Sequence, residues 1–416
     1  MKVRDQAIAG HEPASPASSA IPGYAWVILF VVILASVAAP LNQFKVPPLL
    51  PVLIEAFRLD LSQAGALMSI FSFTGLILAL PAGLILQRLG PKATGLIAVA
   101  CLVIGSGWGA LAGGVGLLLA TRVIEGVGMA LIAVVAPASI ALWFPPHRRG
   151  TPMGLWATWV PLGSVIMYNL APALGTSVGW QAVWWTGAAF SLLAFVLYWL
   201  FMRLPPTAAA ERRPAQDARG DPGDGKPPSL ATALANRDIW LLALQFACFN
   251  VAFIGFATFF PTFLAEERAY SLAQAAFITS LSTLVALGGA PLAGWLSDRL
   301  GSRRWFIAPP FLIVAAMMVL PFHLTGWPLY ALMALLGLVS VATPTATFAA
   351  APEVMGDPRA AGIGLAVISL GMNLGIVIGP LFFGMLVEAM GWAVAGYWLI
   401  PVCLLGFLSG WLVNVR

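Results

Sequence analysis

The chain has 416 residues, of which 60% are hydrophobic and 9% charged, and its formal net charge is +5. A soluble protein of this size carries about 25% charged residues, mostly on its surface. So few charges exclude a soluble enzyme, a nucleic-acid-binding protein and a disordered chain, and leave lipid as the solvent. Cys101, Cys248 and Cys403 all fall in apolar runs, with neither a disulfide framework nor zinc-ligand spacing.

Residues 1–23 read as a polar cytoplasmic tail without a cleavable hydrophobic region. A helix crossing the hydrocarbon needs about 20 apolar residues, and the chain predicts twelve. Span one, 24–54, contains Asn42-Gln43-Phe44-Lys45-Val46-Pro47-Pro48, where the two prolines free the carbonyls of Gln43 and Phe44. Span two, 63–86, runs into Gly83-Leu-Ile-Leu-Gln87-Arg88-Leu-Gly90-Pro-Lys92, and span three is 94–113. Span four, 116–144, carries Arg122 and Glu125; span five, 152–173, carries Trp156, Trp159 and Tyr168; span six is 182–202. A Pro-, Gly- and charge-rich linker, 204–238, separates a first unit, 24–203, from a second, 239–416. Span seven, 239–265, holds Asn250, and span eight, 272–296, leads into Gly294-Trp-Leu-Ser-Asp298-Arg299-Leu-Gly301-Ser-Arg303-Arg304. Spans nine, 305–323, and ten, 327–350, precede span eleven, 361–387, with Asn373, and span twelve, 393–413.

With the N-terminus inside, 17 of the 21 Lys and Arg residues fall on the inner side. Arg58 and Arg268 fall outside, and Lys45 and Arg122 lie within spans. The positive-inside rule then places both termini in the cytoplasm of a cell-membrane protein. The halves also repeat. At an offset of 211, Leu61-Ser-Gln63-Ala64 falls on Leu272-Ala-Gln274-Ala275, Gly83 on Gly294, Arg88 on Arg299 and Gly90 on Gly301. Duplicated helical units of this kind are typical of secondary transporters, which move one half against the other.

These features resemble the major facilitator superfamily. The loop from Gly294 to Arg304 is similar to its signature G-x-x-x-D-R-x-G-R-R, and the loop from Gly83 has Gln87 in place of the Asp. Arg122-Val-Ile-Glu125-Gly126-Val-Gly128 resembles the family element R-x-x-x-G-x-G. The resemblance implies an all-α fold of two pseudo-symmetric six-helix bundles, transport by alternating access, and a monomer. It also implies a cytoplasmic gate in which Asp298 pairs with basic groups such as Arg299 and Arg303. Gly83 and Gly294 would there allow close helix approach, with Gln87 and Arg88 forming a weaker counterpart. The stretch around Lys45 is similar to span one of the anion:cation symporter branch, the sialin-like and hexuronate-type carriers, which has Arg at that place.

Ionisable residues inside a span are costly and mark function. Lys45, Arg122 and Glu125 are such residues, and two cations to one carboxylate favour an anionic cargo. Lys45 and Arg122 are therefore expected to hold a small organic anion, and Glu125 to carry a proton. Asn42, Asn250, Asn373, Trp156, Trp159 and Tyr168 are the remaining expected substrate contacts. The expectation is proton-coupled anion symport without a cofactor or nucleic acid. Proton-antiport export of drugs or metabolites is the alternative. It is disfavoured because Trp159-Val-Pro161-Leu-Gly163 lacks the Gly-before-Pro pattern of such exporters. A membrane enzyme or sensor is a more remote reading, for no Walker loop, metal-binding set or nucleophile–base arrangement occurs.

Overall fold

The computed structural model describes residues 22–78, 81–145, 148–205, 234–300, 303–356 and 361–415. Most of the expected N-terminal tail, most of the expected linker, Gly301 and the side chain of Asp298 lie outside the described residues. All described elements are helical. Among the described residues, eleven helices are long and apolar enough to cross a membrane. Span five, in two pieces, supplies the twelfth.

Four spans break close to prolines, while Pro137, Pro261, Pro291 and Pro380 sit inside helices that run on unbroken. Span one runs as Gly23–Gln43, breaks, and resumes as a tight turn Pro47–Leu49 and a short helix Leu50–Phe57. Span five parts into Gly150–Ala157 and Trp159–Ser177, three residues before Pro161. Span ten parts into Trp327–Ser340 and Ala342–Met355, and span twelve into Trp392–Tyr397 and Leu399–Trp411, again three residues ahead of Pro344 and Pro401. Each proline withholds the N–H that the carbonyl four residues back would need, and its ring presses on that carbonyl. The other spans are Leu61–Leu78 continued by residues 81–89, then 91–110, Val115–Trp143, Trp180–Phe201, Arg237–Glu266, Leu272–Leu300, Arg304 to Phe322 in three short pieces, and Ala361–Met390. Between spans two and three Gly90 sits at φ 75°, a left-handed turn that a side chain would strain.

The repeat persists in the backbone. Among the described residues, Arg58 and Ala269 are the non-glycine residues with positive φ, at 52° and 55°, and their positions match at the sequence offset. Gly179 and Gly391, one residue off that offset, open spans six and twelve with φ of 114° and 79°. The twelve helices thus form two related six-helix bundles.

Several arginines terminate helices. Arg149 donates to Phe144 O at 2.7 Å and Ala141 O at 2.6 Å, closing span four. Arg268 donates to Phe322 O at the end of span nine, and Arg304 to Trp411 O at the end of span twelve, each at 2.5 Å. The last carbonyls of a helix lack intrahelical partners, and a cation there also suits the helix dipole.

The bundles meet at the end away from the basic loops. Tyr168 Oη donates to Ala257 O at 2.9 Å and Asn169 Nδ2 to Ser280 Oγ at 3.3 Å. Gly65 lies against the Pro380 backbone and Gly384 against the Leu61 carbonyl. At the basic end the expected close approach is not made. A Cβ at Gly83, Gly154 or Gly362 would meet nothing within 4 Å among the described residues, and one at Gly294 would meet Thr345 at 3.7 Å. Among the described residues these glycines therefore stand at no close helix contact. Gln87 and Arg88 are exposed. Arg299 stacks on Trp295 at 5.2 Å, and Arg303 pairs with Glu353 at 2.5 Å, within the second bundle.

Candidate functional site

The break in span one creates the site. Where the helix stops at Gln43, the carbonyls of Asn42 and Gln43 have no helical donor, and Arg122 of span four supplies one. Its Nη1 donates to Asn42 O at 2.7 Å, its Nη2 to Gln43 O at 3.1 Å, and its Nε to Leu67 O of span two at 3.0 Å. Arg122 Nη1 also reaches Glu125 Oε2 at 2.6 Å, and the guanidinium stacks on Phe71 at 4.5 Å. Arg122 is thus another arginine at a helix end, here buried in the bundle.

The other oxygen of Glu125 takes Lys45. Lys45 Nζ lies 2.6 Å from Glu125 Oε1, 3.0 Å from Asn42 Oδ1 and 2.9 Å from Ser106 Oγ of span three. An ammonium has three N–H donors, and all three are used. The Trp184 ring of span six covers it at 4.6 Å. Small residues make room. A Cβ on Gly105 would approach Glu125 Cγ to 2.6 Å, and one on Gly187 would press on Asn42 Oδ1 and come within 2.9 Å of Ser106 Oγ. Lys45, Arg122 and Glu125 each show 0% exposure. Five spans therefore enclose two cations and one carboxylate, a charge balance far too costly to bury without this many partners.

The structure brings four of the expected residues together: Lys45, Arg122, Glu125 and Asn42. It places the others elsewhere. Trp156 and Trp159 stack on each other at 5.6 Å, and Trp156 Nε1 donates to Ser36 Oγ at 3.0 Å. Tyr168 joins the two bundles through Ala257, as described. Asn250 and Asn373 each donate to a carbonyl of their own helix, Phe246 O at 2.8 Å and Ser369 O at 2.9 Å. Asn373 Oδ1 faces Gly75 of the other bundle. Sequence reasoning missed Ser106, Trp184 and Ser191, the last of which accepts from Asn42 Nδ2 at 2.9 Å. The run Gly105-Ser106-Gly107-Trp108-Gly109 in span three carried a usable signal. So many small residues in a membrane helix imply close contact with a neighbour, here spans four and six. In the second bundle the positions matching Lys45, Arg122 and Glu125 are Phe256, Met333 and Leu336, all buried.

Comparison with known proteins agrees with this architecture. A family model described as Major Facilitator Superfamily matches residues 32–365 and 264–416. The hexuronate transporter of Bacillus subtilis is 27% identical over 272 residues, covering 65% of this chain and 64% of that protein. The D-galactonate transporter of Escherichia coli is 24% identical over 379 residues, covering 85% of this chain and 87% of that protein. Among solved structures, a bacterial homologue of the human lysosomal transporter Spinster, inward-facing and unoccupied, superposes with a TM-score of 0.78 at 19% identity. It covers 93% of this chain and 97% of its own. A D-xylose–proton symporter superposes at 0.73 with 18% identity, over the same shares of the two chains. Twelve spans in two repeated bundles, the matched signature loops and a family model that covers almost all the chain place it in one group: the chain belongs to the Major Facilitator Superfamily.

Proposed function

We propose that the chain is a secondary transporter of a small organic anion, coupled to protons as a symporter, with the basic loops in the cytoplasm. The observation that carries this reading is the buried cluster of Lys45, Arg122 and Glu125, with two cations to one carboxylate. An anion leaving water needs a fixed positive partner. While Glu125 is ionised it occupies both cations, one with each oxygen. Protonating it leaves the cluster more positive, so the proton and a substrate carboxylate favour each other's binding. By linkage the substrate must in turn raise the proton affinity of Glu125. Relatives named for hexuronate and galactonate, both carboxylates, support the cargo class.

None of the three charged side chains is exposed, so the anion reaches them when the cluster opens. With the bundles in contact away from the basic loops, the conformation corresponds to a pathway open toward the cytoplasm. Residues 24–203 and 239–416 serve as the two moving units, joined by the linker, and Asp298 with Arg299 and Arg303 serves the gate on the basic side when the bundles close there.

The test is uptake into proteoliposomes of a panel of monocarboxylate sugar acids, with and without an inward proton gradient. Accumulation that requires the gradient and disappears in Lys45→Ala supports the reading. Carboxylate uptake that ignores the gradient removes the coupling. No carboxylate uptake, together with gradient-driven efflux of uncharged or cationic compounds, establishes the antiport alternative.

A further inference from the structure

The partners of Lys45 are held in a particular orientation. Ser106 donates its hydroxyl to Trp184 O at 2.6 Å, so lone pairs are what it turns to Lys45. Asn42 spends both N–H groups of its amide, on Ala38 O and Ser191 Oγ, each at 2.9 Å. Its Oδ1 is thereby fixed toward the ammonium. Trp184 adds the face of its ring. Three neutral groups thus present only electron-rich surfaces to one cation, independently of Glu125. We propose that Ser106, Asn42 and Trp184 form an ammonium seat that retains Lys45 when Glu125 is neutral, and that this seat sets the pH at which Glu125 takes up its proton.

The sign follows from the geometry. When Glu125 is protonated, Lys45 loses its charged partner and leans on the seat. The seat therefore stabilises the protonated state of Glu125 more than the ionised one. Weakening it makes protonation harder and moves the titration of Glu125 to lower pH. The charged groups facing Glu125 are Lys45 of span one and Arg122 of its own span. Spans two, three and six present Phe71, Ser106 and Trp184, none of which titrates in the accessible range. These are positioning residues, and their link to transport rests on the function proposed above.

Infrared difference spectroscopy of the reconstituted protein, with Glu125→Gln identifying the carboxyl band, reads the titration directly. Ser106→Ala is expected to move the midpoint toward acid by less than about one unit, because the bond to Lys45 is already made beside the ion pair and only its strengthening counts. Ser106→Cys, which keeps the volume but offers a weak acceptor, is expected to give a smaller shift the same way and serves if the alanine variant does not fold. Trp184→Phe keeps an aromatic face and is expected to shift the midpoint less. An unmoved midpoint in both Ser106 variants, or no titrating band, overturns the seat. A band that shifts as expected while transport ignores pH retains the seat and overturns the coupling reading instead.

Discussion

Replacing Arg122 by alanine removes four donor bonds at once. The carbonyls of Asn42, Gln43 and Leu67 lose their side-chain donor inside the bundle, and Glu125 loses one of its two cations. A buried polar group left unpaired costs about 1–3 kcal/mol; Leu67 O keeps its helical donor in span two, so the carbonyls of Asn42 and Gln43 contribute at least about 2 kcal/mol. Breaking a buried ion pair costs about 3–5 kcal/mol, reduced here because Lys45 still holds the carboxylate. The total, roughly 5 kcal/mol, is a large share of the stability of a folded domain. At about 2–4 °C per kcal/mol for units of this size, purified Arg122→Ala should melt on the order of 10 °C lower, followed by tryptophan fluorescence in detergent. Arg122→Lys keeps the charge but not the planar fork that reaches three carbonyls, so it should fall between the two. An unaltered melting temperature in Arg122→Ala, accompanied by lost anion uptake, would show that Arg122 is a substrate ligand and not the cap of span one.

Three further outcomes are expected. Glu125→Gln should retain carboxylate binding, measured by equilibrium binding of a labelled sugar acid, and lose its pH dependence; binding that still varies with pH would move the proton to another group. A Cβ at Gly65 would lie 2.5 Å from Pro380 O, a backbone atom that cannot yield cheaply, so Gly65→Ala should loosen the contact between spans two and eleven. A cysteine placed at Ser62 would then react faster with a membrane-impermeant thiol reagent than in the unmodified background, and equal rates would refute the contact. Gly371, Gly375 and Gly379 seat span eleven on backbone atoms of Ala243, Ala247 and Val251 in span seven. Gly375→Leu should therefore lower the yield of monodisperse protein on size exclusion, and an unaffected profile would argue against the close approach.

Much of the architecture was legible because lipid imposes a simple pattern. Twelve apolar runs, the repeat offset and the three charges inside spans could be read directly, since each stands out from an apolar background. The breaks were legible in part. Pro47 and Pro48 signal the one in span one, whereas Pro161, Pro344 and Pro401 accompany breaks that proline alone does not announce, since Pro137, Pro261, Pro291 and Pro380 lie in unbroken helices. The partners of the charges were not legible. Ser106 and Trp184 lie 61 residues from Lys45 and 59 from Glu125, on spans whose rotation no period in the sequence fixes. Trp156 and Trp159 share a helix face at i, i+3, but that spacing does not say which neighbour the face meets, and packing gives them and Tyr168 partners outside the cluster.

The repeat also supplies a comparison within the molecule. The second bundle keeps the same turns and helix order as the first, yet holds Phe256, Met333 and Leu336 where the first holds Lys45, Arg122 and Glu125. A six-helix unit of this shape therefore packs with apolar side chains at these positions, and the charges are not a requirement of the fold as such. Span seven needs no cap at the matching place because it runs unbroken as Arg237–Glu266. Span one is broken, and its free carbonyls give Arg122 a structural task. That accounts for Arg122, but not for Lys45 and Glu125, since a capping arginine can be satisfied by carbonyls alone, as Arg149 is. Replacing buried ion pairs by apolar groups is often neutral or stabilising, and the second bundle shows the apolar solution in place. The added pair is thus the part of the cluster for which folding offers no reason, and a reversible charge is what a proton-linked anion carrier requires at this position.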